Sequence, residues 1–415
     1  MQMVVDVFGQ ILGTLWAHKL RSFLTMFGIA WGVGSLLLLV GLGEGFRTGN
    51  QRGLSEYGEN IMFLYPASAP EVAGNMNSGR KYRLTYQDYL DIRKESPHIK
   101  AITPVLSTDD VRAVSEFASA SGQLTGAEPQ YNGIRFLPLK QGRWLNALDE
   151  TQKRDVVVLG DEMTHSLFPG RPAIGAFILL NDHRFAVVGT LRRVGRGDNN
   201  LTNARAYIPF QVMRSYFPLT GEEAFDAISA INFQPLVADD HLIALKEAHR
   251  VIARNHHFDY HDEDAFDGWD TVQQAQMMGT IFDAMNEFLG TVGLVTLALG
   301  AIGVINIMLI AVTERTREIG LRKALGATNR SIMLQFFAEG IILTLVSGLI
   351  GMALAGGLMA LLGSYNGPGG FDPPRLVPKT AILAIVSLMI AGVAAGLYPA
   401  RKAAKLEPVE ALRQE

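Results

Sequence analysis

Residues 288–313 read FLGTVGLVTLALGAIGVINIMLIAVT, 26 positions without a charged side chain, and pass directly into ERTREIGLRKALGAT at 314–328. At ~1.5 Å rise per residue such a helix reaches roughly 39 Å, longer than a ~30 Å hydrocarbon core. It must therefore tilt or protrude if it crosses a bilayer. Three further windows are equally free of charge: 23–43, 340–363 and 380–400, of 21, 24 and 21 residues. Neither the 48% hydrophobic content of the 415 residues nor the net charge of −3 implies a membrane protein. The segregation of charge does. The first window carries the basic flank of a cleaved secretory signal in His18, Lys19 and Arg21. Its apolar run exceeds the ~7–15 residues of such signals and no A-x-A-like site follows, so it reads as a permanent span. The expected fold is a multi-pass α-helical membrane protein with four transmembrane helices, and the lipid bilayer is its first partner.

Short loops orient such a protein through their Lys and Arg content. The N-terminal segment has Lys19 and Arg21, the connection between spans two and three has Arg315, Arg317, Arg322, Lys323 and Arg330, and the tail has Arg401, Lys402, Lys405 and Arg413. Those eleven stand against Arg375 and Lys379 in the loop at 364–379. Both termini are therefore expected in the cytosol, with 314–339 and 401–415 on the same side. Arg47 and Arg52, just beyond span one, dissent, but long translocated domains largely ignore this rule.

Residues 44–287 then form one extracytosolic insertion of about 240 residues. Runs at 61–65, 156–159, 177–180, 184–191 and 226–233 are short, β-branched or aromatic, and bounded by turn formers, which predicts strands. Residues 84–96 predict a helix with Thr85 as N-cap and Pro97 as stop. Residues 241–255 have apolar positions at helical spacing, Leu242, Leu245, Ala248, Val251 and Ile252. The mixture predicts a large α+β domain between spans one and two, and its length suggests two lobes. Residues 67–81, rich in Pro, Gly, Asn and Ser, predict a mobile loop. Residues 44–57 and 269–287 are polar but free of proline and can continue spans one and two outward as stalk helices; plain linkers are the alternative.

No G-x-x-x-x-G-K-[ST] occurs, so these residues contain no Walker A phosphate loop. G-x-S-x-G and H-E-x-x-H are also absent, which weakens hydrolase and metalloprotease readings. There are no cysteines, hence no disulfides or thiolate metal sites. The cluster His256-His257-Phe258-Asp259-Tyr260-His261-Asp262-Glu263-Asp264 has metal-ligating residue types, but such loops are commonly solvated surface. No catalytic residue, cofactor or metal site is expected on this chain, and no nucleic-acid partner.

Four glycines form two G-x-x-x-G pairs, Gly28/Gly32 in span one and Gly392/Gly396 in span four. Small residues at this spacing align on one helix face and let backbones approach closely, so they are expected to form packing seams. Asn306, polar inside span two, is expected to hydrogen-bond across helices, with a place on a translocation pathway as the alternative. Glu339 is expected near the membrane interface with a partner, because an unpaired carboxylate at mid-bilayer costs about 2.5–3.5 kcal/mol. Residues 4–20 put Val4, Phe8, Ile11, Leu12, Leu15 and Trp16 on one stripe, so 1–22 are expected to form an amphipathic helix in the cytosolic interface.

The segment 314–328 is a charged helix with Ile319, Leu321 and Leu325 as apolar points and Gly326 as its stop. It resembles the signature of the MacB/FtsX-like ABC transporter permease family, in which this segment is the coupling helix. The likeness extends to LRSFLTMFGIAWGVG at 20–34 and Gly43-Glu-Gly45, to Gly142-Arg143, and to DVVVLG at 155–160 with Leu167-Phe168 and Ile174-Gly175. It reaches the tail through YPARKAA at 398–404 and EPVEALR at 407–413.

The resemblance implies a permease subunit of a bacterial inner-membrane transporter. MacB proper carries an ATPase domain fused upstream, so here a separate cytosolic ABC ATPase subunit is expected to bind ATP and Mg. Glu314, Arg315, Arg317, Glu318, Arg322 and Lys323 would contact it. A second permease copy or paralogue would complete a dimer, with a possible periplasmic adaptor. The implied function is mechanotransmission driving export of a drug, peptide or siderophore-like substrate. Lipoprotein release is an alternative. So is FtsX-like regulation of a cell-wall hydrolase, although the extracytosolic domain of such regulators is generally smaller.

Overall fold

The computed structural model describes residues 19–70, 79–195, 201–221, 226–364, 372–407 and 411. The amphipathic stripe at 4–16 lies outside them. The described residues form two compact units, one of residues 19–49 with 279–364 and the C-terminal residues, the other of residues 50–278.

The second unit begins at the end of helix α1 (Lys19–Ser55) and continues through strands β1 (Met62–Tyr65), β2 (Ser68–Pro70) and β3 (Gly79–Lys81). Helix α2 (Tyr86–Glu95) leads into β4 (Ile99–Val114) and β5 (Ser119–Ala127). Then follow α3 (Tyr131–Ile134), β6 (Leu139–Gly142), α4 (Ala147–Thr151), β7 (Val156–Leu159) and α5 (Asp161–Leu167). The unit closes with β8 (Phe177–Leu180), β9 (His183–Leu191), β10 (Arg205–Pro209), α6 (Phe210–Tyr216), β11 (Ala230–Pro235), α7 (His241–His256) and β12 (Asp267–Asp270).

Ten of these strands share one sheet in the order β12-β1-β11-β4-β5-β10-β7-β9-β6, with β8 joining β4 and β9. The length suggests two lobes, whereas the structure joins these ten strands in one sheet. The physical reason is β4, 16 residues long, whose first half pairs with β11 and whose last two residues, Ala113 and Val114, pair with β8. A register shift between Thr108 and Val111, with Asp110 at φ 55°, lets this strand bend without leaving the sheet. The predicted strand at 226–233 starts later, at Ala230, because Asp226 sits in a turn with φ 59°. Within 67–81, Ser68–Pro70 and Gly79–Lys81 pair as antiparallel strands rather than forming loop, and the intervening residues lie outside the description.

Helices α2, α5, α6 and α7 cover one sheet face, burying Tyr89, Leu167, Phe210, Met213 and Ile252 against Leu106, Leu124 and Ile208. The other face packs Val105, Ala127, Val158 and Tyr207 under the 131–145 segment through Tyr131, Leu137, Trp144 and Leu145. Alternation along each strand separates the two cores. Helix α2 starts with the predicted Thr85 cap, a reciprocal box with Asp88. Burial alone would raise the Asp88 carboxyl, but bonds from His256 and Asn255 and the Thr85 amide outweigh it and hold it below the usual aspartate range. The Gly142-Arg143 pair is also structural. At φ 76° Gly142 passes so close to Val188 that a Cβ would lie 2.2 Å from its carbonyl oxygen, while Arg143 forks onto the fully buried Asp149 at 2.5 and 3.0 Å.

Both chain ends of this unit leave from adjacent strands, since β1 and β12 pair antiparallel, Met62 opposite Asp270. Thr271 Oγ1 accepts from Ile61 N at 2.9 Å and donates to Ile61 O at 2.8 Å. Asp270 caps the helix that follows, accepting from Val272 N and Gln273 N, and its other oxygen lies 2.6 Å from His241 Nδ1.

The first unit consists of long helices. After α1 come α8 (Thr271–Glu314), α9 (Thr316–Ala324), α10 (Asn329–Gly363) and α11 (Pro378–Ala404). Among the described residues, four helices are long and apolar enough to cross a membrane: Met26–Ser55 of α1, and α8, α10 and α11. The polar segments at 44–55 and 271–287 are helical and unbroken with these spans. Near the end of α1, Arg47 reaches Asp283 at 3.2 Å and Phe46 meets Phe282 edge-on at 5.4 Å.

Candidate functional site: the hinge helix and the glycine seams

The stretch between the second and third spans is built by local breaks. Arg315 has φ −99°, ψ 13°, which ends α8, and the Thr316 hydroxyl bonds back to the carbonyls of Val312 and Thr313. Such back-bonding bends helices. Helix α9 then runs nine residues, Gly326 at φ 98° takes a left-handed conformation that favours glycine, and Thr328 caps α10 through Ser331 N.

Three of the six expected coupling residues turn inward. Arg315 Nη1 lies 3.4 Å from Glu339 Oε1 of α10, and the Glu339 side chain is only 8% exposed. Arg322 Nη1 donates to Gln335 Oε1 of α10 at 2.9 Å. Lys323 Nζ donates to the carbonyls of Ala404 and Leu406, at 2.6 and 2.7 Å, where a cation is favoured at the C-terminus of α11. With Thr316, Ile319 and Gly320 buried, this face of α9 is clamped to two spans at once. The opposite face exposes Glu314, Arg317 and Glu318 together with Leu321, 54% exposed, and Leu325, 81% exposed. The sequence pattern by itself marks these two leucines only as apolar points. Their signal was present in the sequence: 317, 318, 321 and 325 follow the i, i+4 spacing of one helix face, whereas 316, 319, 320 and 323 follow the other.

All four expected seam glycines lie against another helix of the same chain. A Cβ at Gly28 would meet Gly300 Cα at 3.6 Å, and one at Gly32 would lie 3.0 Å from Leu297 Cα. Gly392 faces Thr344, and Gly396 faces the Phe337 carbonyl at 3.2 Å. Tighter contacts were missed: a Cβ at Gly351 of α10 would lie 2.3 Å from the Ala30 carbonyl of α1, and one at Gly340 would lie 2.8 Å from Gly396 Cα. Gly45 has the same constraint, since a Cβ there would sit 2.5 Å from the Asp372 carbonyl of the loop that follows α10.

Asn306 does not bond across the helices; it is exposed, with no side-chain hydrogen bond among the described residues. The buried stripe of α8 is Leu297, Ala301, Val304, Met308 and Val312, and position 306 falls on the other side of the helix. The His- and Asp-rich cluster is divided as well. His256 Nε2 lies 2.8 Å from Asp88 Oδ2, His261 Nδ1 lies 2.9 Å from Asp259, and no group of three potential ligands among the described residues could hold a metal ion.

Four membrane helices, a large domain inserted between the first two, and a short clamped helix between the second and third define a multi-pass membrane permease. Two family models divide the chain accordingly: the MacB-like periplasmic core domain matches residues 22–238 and the FtsX-like permease C-terminal matches residues 290–408. The chain belongs to the MacB/FtsX-like ABC transporter permease family. It is similar to a Bacillus subtilis protein named Uncharacterized ABC transporter permease YknZ, 32% identical over 407 residues, covering 97% of this chain and 98% of that one. It is 31% identical over 409 residues to the macrolide export ATP-binding/permease protein MacB of Bdellovibrio bacteriovorus, covering 97% of this chain but 60% of that protein. Among solved structures, the periplasmic region of MacB from Actinobacillus actinomycetemcomitans has a TM-score of 0.43 at 21% identity, covering 55% of this chain and 96% of that one.

Proposed function

We propose that this chain is the membrane subunit through which a separate cytosolic ABC ATPase moves an extracytosolic domain, driving export of a drug, peptide or siderophore-like substrate from a bacterial cell. ATP and Mg would bind the ATPase, not this chain. The permease would sit in the inner membrane with both termini in the cytosol, as a dimer with a second copy or paralogue, and would work with a periplasmic adaptor. Export is favoured over lipoprotein release or hydrolase regulation by the macrolide export named for the MacB relatives.

The observation that carries the reading is the two-sided α9. Its inner face is tied by Arg315, Arg322 and Lys323 to α10 and the end of α11. A force on the outer face would thus be delivered to these spans rather than dissipated by a loose loop. Spans α1 and α8 would carry the motion outward, because each helix runs unbroken into the inserted domain. The exposed Arg317, Glu318, Leu321 and Leu325 are then the contact surface, with the leucines as apolar anchors.

Changing Leu321 and Leu325 together to Asp should reduce permease-stimulated ATPase activity of the reconstituted complex to its basal rate. Both side chains are exposed, so the permease itself should melt as the unaltered chain does. Undiminished stimulation by this double variant would defeat the proposal. Orientation has its own measurement. In the cysteine-free chain, single cysteines at Ser68 and Ser331 should react with an impermeant thiol reagent from opposite sides of the membrane, and labelling from one side refutes the topology.

A further inference from the structure

We infer that the extracytosolic unit contains a binding site for a small amphipathic organic carboxylate, centred on Arg135. A cavity of about 490 Å³ opens beside the 131–138 segment, in the size range of small-molecule sites. Arg135, 8% exposed, lines it. Its guanidinium lies over the rings of Tyr57 and Phe63, 5.6 and 5.2 Å from their centroids, and its Nε has no hydrogen-bond partner among the described residues. No carboxylate pairs with it among those residues. Burying a guanidinium without an anion is costly, and the two ring faces replace only part of its hydration. Arg135 belongs to the cavity wall, so an anion bound there would supply the missing countercharge.

The rest of the wall specifies the ligand's character. Lys100 adds a second cation and Glu59 one carboxylate, which leaves a formal charge of +1 and suits a monoanion better than a dianion. Phe136, 53% exposed, supplies the apolar surface. The planar guanidinium fork matches the two oxygens of a carboxylate. One charged end and a compact apolar body therefore describe the occupant. The site does not depend on how α9 is used.

Benzoate is a suitable probe, with benzamide as its neutral isostere and inorganic phosphate as an anion lacking an apolar body. A ligand-observed NMR titration of the full chain in lipid nanodiscs should give saturable benzoate binding and at least ten-fold weaker binding of the other two. Arg135→Gln should weaken benzoate about ten-fold and Lys100→Gln about three-fold, whereas Glu59→Gln should tighten it about three-fold, since each changes one charge facing the anion. Lys100 and Glu59 are exposed, so their opposite shifts decide the matter if Arg135→Gln does not fold. Absent saturation, equal binding of benzamide or phosphate, or shifts of the same sign at Lys100 and Glu59 would overturn the inference.

Discussion

Gly351→Leu should prevent the four spans from assembling at all. A single Cβ at this position would lie 2.3 Å from the Ala30 carbonyl oxygen, 2.9 Å from its Cα and 3.0 Å from its carbonyl carbon. All three are backbone atoms, so no rotamer change relieves the clash and α1 must move away from α10. Helix association in lipid lacks a hydrophobic driving force and depends on close packing, which such a separation removes. Overpacking of a soluble core typically costs about 1–3 kcal/mol, and this contact is tighter and less yielding than most. The buried contacts around it, Val33, Leu37 and Ala355 among them, would be lost with it. Gly356 and Gly357, five and six residues further along the same helix, would present a Cβ to no atom within 4 Å. Gly356→Leu should therefore melt with the unaltered protein in detergent, while Gly351→Leu should yield little folded material. Equal melting of the two variants would show that the α1–α10 contact does not hold the spans together.

Charge-free windows identified all four spans and their order because desolvating a charge in hydrocarbon costs more than any propensity can offset. Their ends were less legible. Helix α1 continues to Ser55 and α8 begins at Thr271, well into polar sequence that composition alone leaves equally consistent with linkers. In the inserted domain, short apolar runs such as 156–159 and 177–180 coincide with β7 and β8. The central pair β4 and β5 went unread for an identifiable reason. Asp109 and Asp110 interrupt the alternation of β4, and β5 reads SASGQLTGA, which has few β-branched or aromatic residues. Cross-strand partners, rather than intrinsic preference, hold these residues extended.

At the hinge helix the sequence supplied the right residues but not their directions. Six charged side chains within 314–323 look alike as a solvated run, and which are exposed depends on where α10 and the end of α11 lie. Helical spacing around Ile319 was the available clue, since Thr316, Gly320 and Lys323 share its face. The glycine seams show the same limit. The G-x-x-x-G pattern picked out Gly28 and Gly392, whereas Gly351 contacts α1 without any such motif in register.

Arg315→Ala should be the most destabilising change within the hinge. It removes the guanidinium 3.4 Å from Glu339, a carboxylate that is 8% exposed, and leaves it only Gln335 and the charge of Arg322. Breaking a buried pair from one side costs about 3–5 kcal/mol, chiefly from the charge left behind. Glu339→Gln combined with Arg315→Ala removes that under-compensated charge, so the double variant should recover most of the lost thermal stability. The pair is thus separable from its mechanical role. If the tie between α9 and α10 transmits force, the refolded double variant should still bind the ATPase through the untouched Arg317, Leu321 and Leu325, yet stimulate it less than the unaltered chain. Stability restored together with full stimulation would assign the pair to folding alone and leave Arg322 and Lys323 as the working links. A double variant as unstable as Arg315→Ala would show that the arginine acts through packing rather than by compensating Glu339, and a double-mutant cycle on melting temperature distinguishes these outcomes.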